Sequence, residues 1–215
     1  MSIAASARMS TAAVTGEVYS RLINLSGRRR FTSQRVVLFA VLCLQEREGA
    51  LEASQEALAV FCAAHRALTR GGDGLPGLFC AALRTAHEGP GATIDAFVAL
   101  AERAHDALAR RARSAPDLVG QLVDCATPLL AALNAITQVY EDLGREHARQ
   151  ERQRMASVMG EIQQIARQAR IVSFNAQVIA ARAAGGGREF SVVAGELLRI
   201  TSRIDELVHE AVRGS

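Results

Sequence analysis

All 25 basic side chains are arginine, and the chain has no lysine. A guanidinium offers a planar fork of donors that suits oxyanions better than an ammonium does. An arginine-only chain therefore has the means to bind anions, but a GC-rich genome would produce the same bias, so only particular positions carry an argument. The densest block is Arg28-Arg29-Arg30, within a net charge of +3 against 22 acids. So small and dispersed an excess argues against nucleic acid or a membrane surface as partner. Cys43, Cys62, Cys80 and Cys125 lie far apart in apolar settings with no C-x-x-C pair. The expectation for them is buried small hydrophobes in a reducing compartment, with no metal site. His65, His87, His105, His147 and His209 form no i, i+4 pair and read as helix-surface or core residues. A Walker A loop, a G-x-G-x-x-G after a strand and an H-E-x-x-H are all missing. The expectation is no enzyme, no catalytic residue and no cofactor.

The elements that must position these residues are helices. The chain has 215 residues, 49% of them hydrophobic and only 4% aromatic, and 40 are alanine. Ala, Leu, Arg, Glu and Gln are strong helix formers, whereas sheets favour β-branched and aromatic side chains, so the fold class is all-α. Apolar steps of three and four predict a first helix from near Ala12 to Leu42 or Leu44, and a second from Leu51 to Leu68, stopped by Gly71-Gly72-Asp73-Gly74. A short helix runs from Pro76 to about His87, Gly89-Pro90-Gly91 breaks the chain, and a further helix covers about Thr93 to Arg113. Helical pattern resumes at Asp117, with Thr127-Pro128 as a kink or a fresh cap, and then runs without interruption to Gly185-Gly186-Gly187. The longest unbroken apolar run, Val36 to Leu44, is nine residues against roughly 20 needed to cross a bilayer. With no apolar core near the N-terminus either, the expectation is a cytoplasmic chain without membrane insertion.

From Val158 onward Ile162, Ile165, Ala169, Val172, Ala176, Ile179 and Ala183 follow a heptad, repeated by Phe190, Val193, Leu197, Ile200, Ile204 and Leu207. Three glycines between two such helices predict an antiparallel coiled-coil hairpin with its turn at 185–187. Second stripes (Phe174 and Val178; Val192 and Ile200) predict pairing with another hairpin into a four-helix coiled coil. The architecture is thus an antiparallel helical bundle over 1–145, continuing through a long helix into a hairpin over 146–215.

The hairpin residues Ile162, Ile165-Ala166, Gln168, Asn175-Ala176, Ala180-Ala181-Arg182-Ala183, Gly187-Arg188, Phe190, Val192-Val193-Ala194-Gly195-Glu196 and Arg199 resemble the signalling tip of methyl-accepting chemotaxis proteins. The resemblance, over about 155–213, implies binding to a CheW-like coupling protein and a CheA-like histidine kinase, with Asn175, Arg182, Arg188, Phe190, Val192 and Glu196 at those contacts. The stretch LINLSGRRRFTSQRVVL, Leu22 to Leu38, resembles the first-helix motif of PilJ-type sensor domains of type IV pilus chemoreceptors and nitrate or nitrite sensors. That resemblance implies a homodimer in which Arg30 points to the dimer axis and binds a small oxyanion such as nitrate or nitrite, with Gly27, Ser33 and Arg35 beside it. Gly27 in mid-helix costs about 1 kcal/mol relative to alanine, which predicts another helix approaching closely there. The chain departs from the tip family at Ile179, where a trimer-forming Glu is usual, at Glu189, where a glycine follows the arginine, and at Ala169-Arg170. Its arms also lack room for methylation pairs.

Overall fold

The computed structural model describes residues 14–182 and 187–213. Among these the chain forms six helices and no strand: α1 (Gly16–Leu44), α2 (Ala50–Arg70), α3 (Ala81–Glu88), α4 (Pro90–Ala109), α5 (Ala115–Arg182) and α6 (Gly187–Arg213). The all-α reading holds. Two compact units result, Met1–His147 and Ala148–Ser215, with α5 supplying residues to both.

Local chemistry sets the helix ends. Thr15 is extended, and its hydroxyl accepts from the Val18 N–H at 3.4 Å, which starts α1 with Glu17 in the first turn. Gly71, at φ +78°, ends α2, and a Cβ there would come within 2.6 Å of the Leu75 carbonyl. Two breaks differ from the sequence reading. Pro76 lies in the loop before α3, which starts only at Ala81. Pro90, read as a breaker, occupies the first turn of α4, where its missing N–H has no helical partner to lose. Pro128 neither caps nor divides α5. It is solvent-exposed along with Asp124, so the carbonyl freed by the absent N–H lies on the outer face.

In the first unit the apolar stripes of α1, α2, α4 and the start of α5 meet. Leu22, Val36, Phe61, Leu68, Ile94, Phe97, Leu122, Leu133 and Ile136 are all buried in one cluster. The Phe61 and Phe97 rings meet edge to face, centroids 5.4 Å apart. One 18-residue window of α5 reaches a mean hydropathy of 1.4, enough by length and composition to cross a membrane. Scattered polar residues hid it from a count of unbroken apolar runs. Leu118, Val119, Leu122, Leu129, Leu133 and Ile136 of this helix pack into the bundle core. The four cysteines are free and half-buried against the cluster, not fully interior. Burial pushes the Cys43, Cys62 and Cys125 thiols up.

In the second unit α5 and α6 run antiparallel, as contacts of Gln163 with His209, Arg170 with Asp205 and Gln177 with Gly195 show. The seam corrects the expected heptad core. Its buried residues are Ala166, Ser173 and Ala180 on α5 and Ala194, Thr201 and Val208 on α6, each set spaced by seven. Small side chains bring the helices together, while Ile165, Val172, Ile179, Val193, Leu197 and Ile200 of the predicted stripe are exposed. Of the turn at 185–187, residues 185 and 186 lie outside the described residues, as does Ala183 of the heptad. At Gly187 a Cβ would overlap the Ala180 carbonyl, so that position requires glycine.

Candidate functional site

The residues the sequence assigned to anion binding, Gly27, Arg30, Ser33 and Arg35, are spread around α1, with Ser33 buried and the other three half-buried. Arg30 is partly exposed, and its Nη1 donates to the Asn134 Oδ1 of α5 at 3.0 Å. The Ser33 hydroxyl is buried and committed to its own helix, donating to the Arg30 carbonyl at 2.9 Å. Arg35 lies over the Phe31 and Phe39 rings, 5.6 and 5.2 Å from their centroids. The prediction of a helix packed on Gly27 is not met within the chain, because a Cβ there would meet only the Arg30 guanidinium, at 3.6 Å.

The neighbouring Arg29 is the larger surprise. It is 0% exposed, the largest fully buried side chain among the described residues. Its Nη2 donates to the Ser26 hydroxyl at 3.1 Å, and its Nη1 donates to His65 Nδ1 at 3.1 Å. Each further donor follows from the proton count. Thr137 spends its hydroxyl proton on the Leu133 carbonyl at 2.7 Å, so Ser26 must donate to Thr137 Oγ1 across 2.8 Å. A one-way relay therefore leads from the guanidinium through Ser26 and Thr137 to the backbone of α5. Because arginine only donates, His65 Nδ1 is an acceptor and the ring is neutral. Burial, then Arg29 and His87, push His65 down to about 4, with Asp95 opposing.

The His65 and His87 rings are 6.3 Å apart, and the His87 and Tyr140 rings 6.4 Å. His87 Nδ1 lies 2.8 Å from the Leu83 carbonyl, to which it must donate. Burial lowers His87, and Tyr140 is pushed up to about 12, chiefly by burial. Burial lowers Arg29 to about 10, so it stays charged at neutral pH. Among the described residues no carboxylate pairs with it. Three buried polar atoms of this cluster lack a partner: Arg29 Nε, His87 Nε2 and Tyr140 Oη.

The α1 motif singled out Arg30 and gave Arg29 no separate role. The signal that places it inside is the stripe Leu22, Ser26, Arg29, Ser33, Val36 and Ala40, which steps by three and four along α1.

At the closed end of the hairpin, Asn175 and Arg182 on α5 and Phe190, Val192 and Glu196 on α6 are all exposed. Phe190 and Val192 are 71% and 69% exposed, so neither serves the seam. Glu196 is ion-paired with Arg199 one turn on, which holds its carboxyl below the usual range. The Arg188 side chain lies outside the described residues. No three His, Cys, Asp or Glu side chains gather into a metal-binding group among the described residues.

The bundle of the first unit thus holds one fully buried arginine in a polar cluster within a largely apolar core. Residues 17–122 match the PilJ family, described as the type IV pili methyl-accepting chemotaxis transducer N-terminal domain. The matched residues all lie within the first unit. No curated protein and no solved structure matches the chain.

Proposed function

We propose that the protein is a non-catalytic, cytoplasmic chemoreceptor-like transducer. Its PilJ-type bundle senses a small ligand, and its hairpin hands the signal to CheW-like and CheA-like partners. The observation that carries the reading is the PilJ match over residues 17–122, with α5 leaving that domain to form the first arm of the hairpin. Two copies associate: an exposed stripe of Ile165, Val172, Ile179, Val193, Leu197 and Ile200 is more apolar surface than a lone hairpin keeps in water. In the dimer Arg30 of each copy faces the axis, and a small oxyanion such as nitrate or nitrite relieves the repulsion between the two guanidinium groups. The exposed Phe190 and Val192, with the exposed Asn175, Arg182 and Glu196, form the partner surface, to which the resemblance adds Arg188. The test is capture of CheW and CheA by the purified chain. Intact protein captures both and Val192→Asp captures neither; failure of the intact protein to capture either overturns the reading.

A second reading, a soluble anion sensor acting on a partner outside chemotaxis, is favoured by the departures at Ile179, Glu189 and Ala169-Arg170. It predicts nitrate or nitrite binding lost in Arg30→Ala together with no capture of CheW.

A further inference from the structure

Two charged helix faces meet without pairing between α2 and α4. These helices pack through Phe61 and Phe97, and the next residue on each, Cys62 and Val98, lines a cleft of about 330 Å³. Arg66 and Arg70 line it from α2, four residues apart and so on one helix face, and Asp95 and Glu102 line it from α4, seven apart. All four are exposed. Elsewhere opposite charges within reach close on each other, as Arg170 does on Asp205 and Arg199 on Glu196. Among the described residues none of Arg66, Arg70, Asp95 and Glu102 forms an ion pair or a side-chain hydrogen bond, so the cleft holds two cations and two anions apart. The Cys62 thiol between them feels both Arg66 and Glu102, in opposite directions. A lone anion would meet the arginines but also the two carboxylates, and a lone cation would meet the reverse. A molecule that carries one carboxylate and one ammonium answers both sides and leaves the net charge of the site unchanged, with the guanidinium forks suited to its carboxylate. The volume sits near the lower end of the roughly 300–1,000 Å³ of small-molecule pockets, which limits the occupant to a short side chain.

We propose that this cleft binds one small α-amino acid, its carboxylate on Arg66 and Arg70, its ammonium on Asp95 and Glu102, and its side chain against Val98 and Ala99. The cleft also adjoins the buried polar cluster. His65 is part of its wall and accepts from Arg29, whose relay through Ser26 and Thr137 ends on the backbone of α5. An occupant therefore sits one side chain away from the helix that leaves the bundle for the hairpin. The site does not rest on the Arg30 reading or on the partners of the hairpin, since it uses other residues and lies within a single copy.

The test is calorimetric titration of the full chain at pH 7 with glycine, L-alanine, L-serine and L-valine, and with sodium acetate and ethylammonium chloride as compounds that carry only one of the two charges. Arg66→Gln, Glu102→Gln and Arg30→Ala are titrated alongside, with folding checked by circular dichroism. The expected result is one amino acid per chain for at least one of the four, acetate and ethylammonium at least tenfold weaker, at least tenfold weaker binding in Arg66→Gln and in Glu102→Gln, and unchanged binding in Arg30→Ala. Should a variant fail to fold, the comparison of amino acid with acetate and ethylammonium on the intact chain carries the test. No binding of any of the four amino acids overturns the proposal, as four separately solvated charges would give. Acetate binding as tightly as the best amino acid makes the cleft a plain anion site and overturns it too. Equal binding by folded Arg66→Gln and Glu102→Gln, or loss of binding in Arg30→Ala, places the ligand elsewhere and overturns it as well. Each of these outcomes leaves the capture of CheW and CheA unaffected, so the two readings fail separately.

Discussion

Acid should loosen the first unit through His65. Protonating this ring puts a proton on Nδ1, the atom that accepts from Arg29 Nη1 at 3.1 Å, and so sets two donors of like charge face to face. The sign follows from the direction of the shift. The folded-state pKa is lowered from 6.5 to about 4, so the unfolded chain binds the proton more readily. The stability is fully present above pH 6.5, is lost progressively as pH falls, and levels off below about 4. A drop of that size corresponds to about 3 kcal/mol at 1.36 kcal/mol per pH unit. Because the ring borders the cleft and is partly exposed, solvent screening reduces this to about 1–2 kcal/mol. Carboxylates and the other lowered histidines, His87 and His105, also titrate in acid, so the informative quantity is a difference. His65→Gln keeps an acceptor for Arg29 but cannot titrate. Urea unfolding of both proteins at pH 7.5, 6.0, 5.0 and 4.5 should show the intact protein losing about 1–2 kcal/mol more than the variant. Parallel loss in the two would refute the assignment of His65 as a neutral acceptor.

Other consequences concern packing and the relay. Ser26→Ala leaves an Arg29 donor and Thr137 Oγ1 without their partner, and should cost about 1–3 kcal/mol, read as a lower urea midpoint. Phe61→Ala removes a fully buried ring stacked edge-on against Phe97 and should cost about 3–5 kcal/mol in the same assay. In the second unit, Ala194→Leu places a large side chain in the small-residue seam and should cost about 1–3 kcal/mol, seen as loss of helical ellipticity at lower temperature. By contrast, Val172→Ser with Ile179→Ser should leave ellipticity unchanged while shifting sedimentation toward the monomer, because both side chains are exposed.

Helix positions were legible because alanine-rich segments with steps of three and four have few alternatives, and glycine pairs mark the breaks. Proline misled in a consistent way. Pro90 and Pro128 each have a helical role that depends on where the missing N–H falls, which sequence pattern alone does not fix. The hairpin was legible as a hairpin but its seam was not. Ile and Val outrank Ala, Ser and Thr in any hydrophobic count, although the smaller residues repeat every seven at 166, 173, 180 and at 194, 201, 208. For the site, the α1 motif drew attention to Arg30 and did not single out its fully buried neighbour Arg29. Counting from Leu22 by helical steps selects Arg29, and its partners His65, His87 and Tyr140 come from three other helices or segments. No spacing in the sequence announces that they meet.

The central claim, that a PilJ-type bundle speaks through the hairpin to a kinase, is tested most directly by CheA autophosphorylation in the presence of CheW. Adding the intact chain should change the rate, and Phe190→Asp, altering a side chain that is 71% exposed, should abolish that change while leaving ellipticity intact. A rate that the intact chain leaves unaltered at concentrations well above those of CheA and CheW would contradict the account.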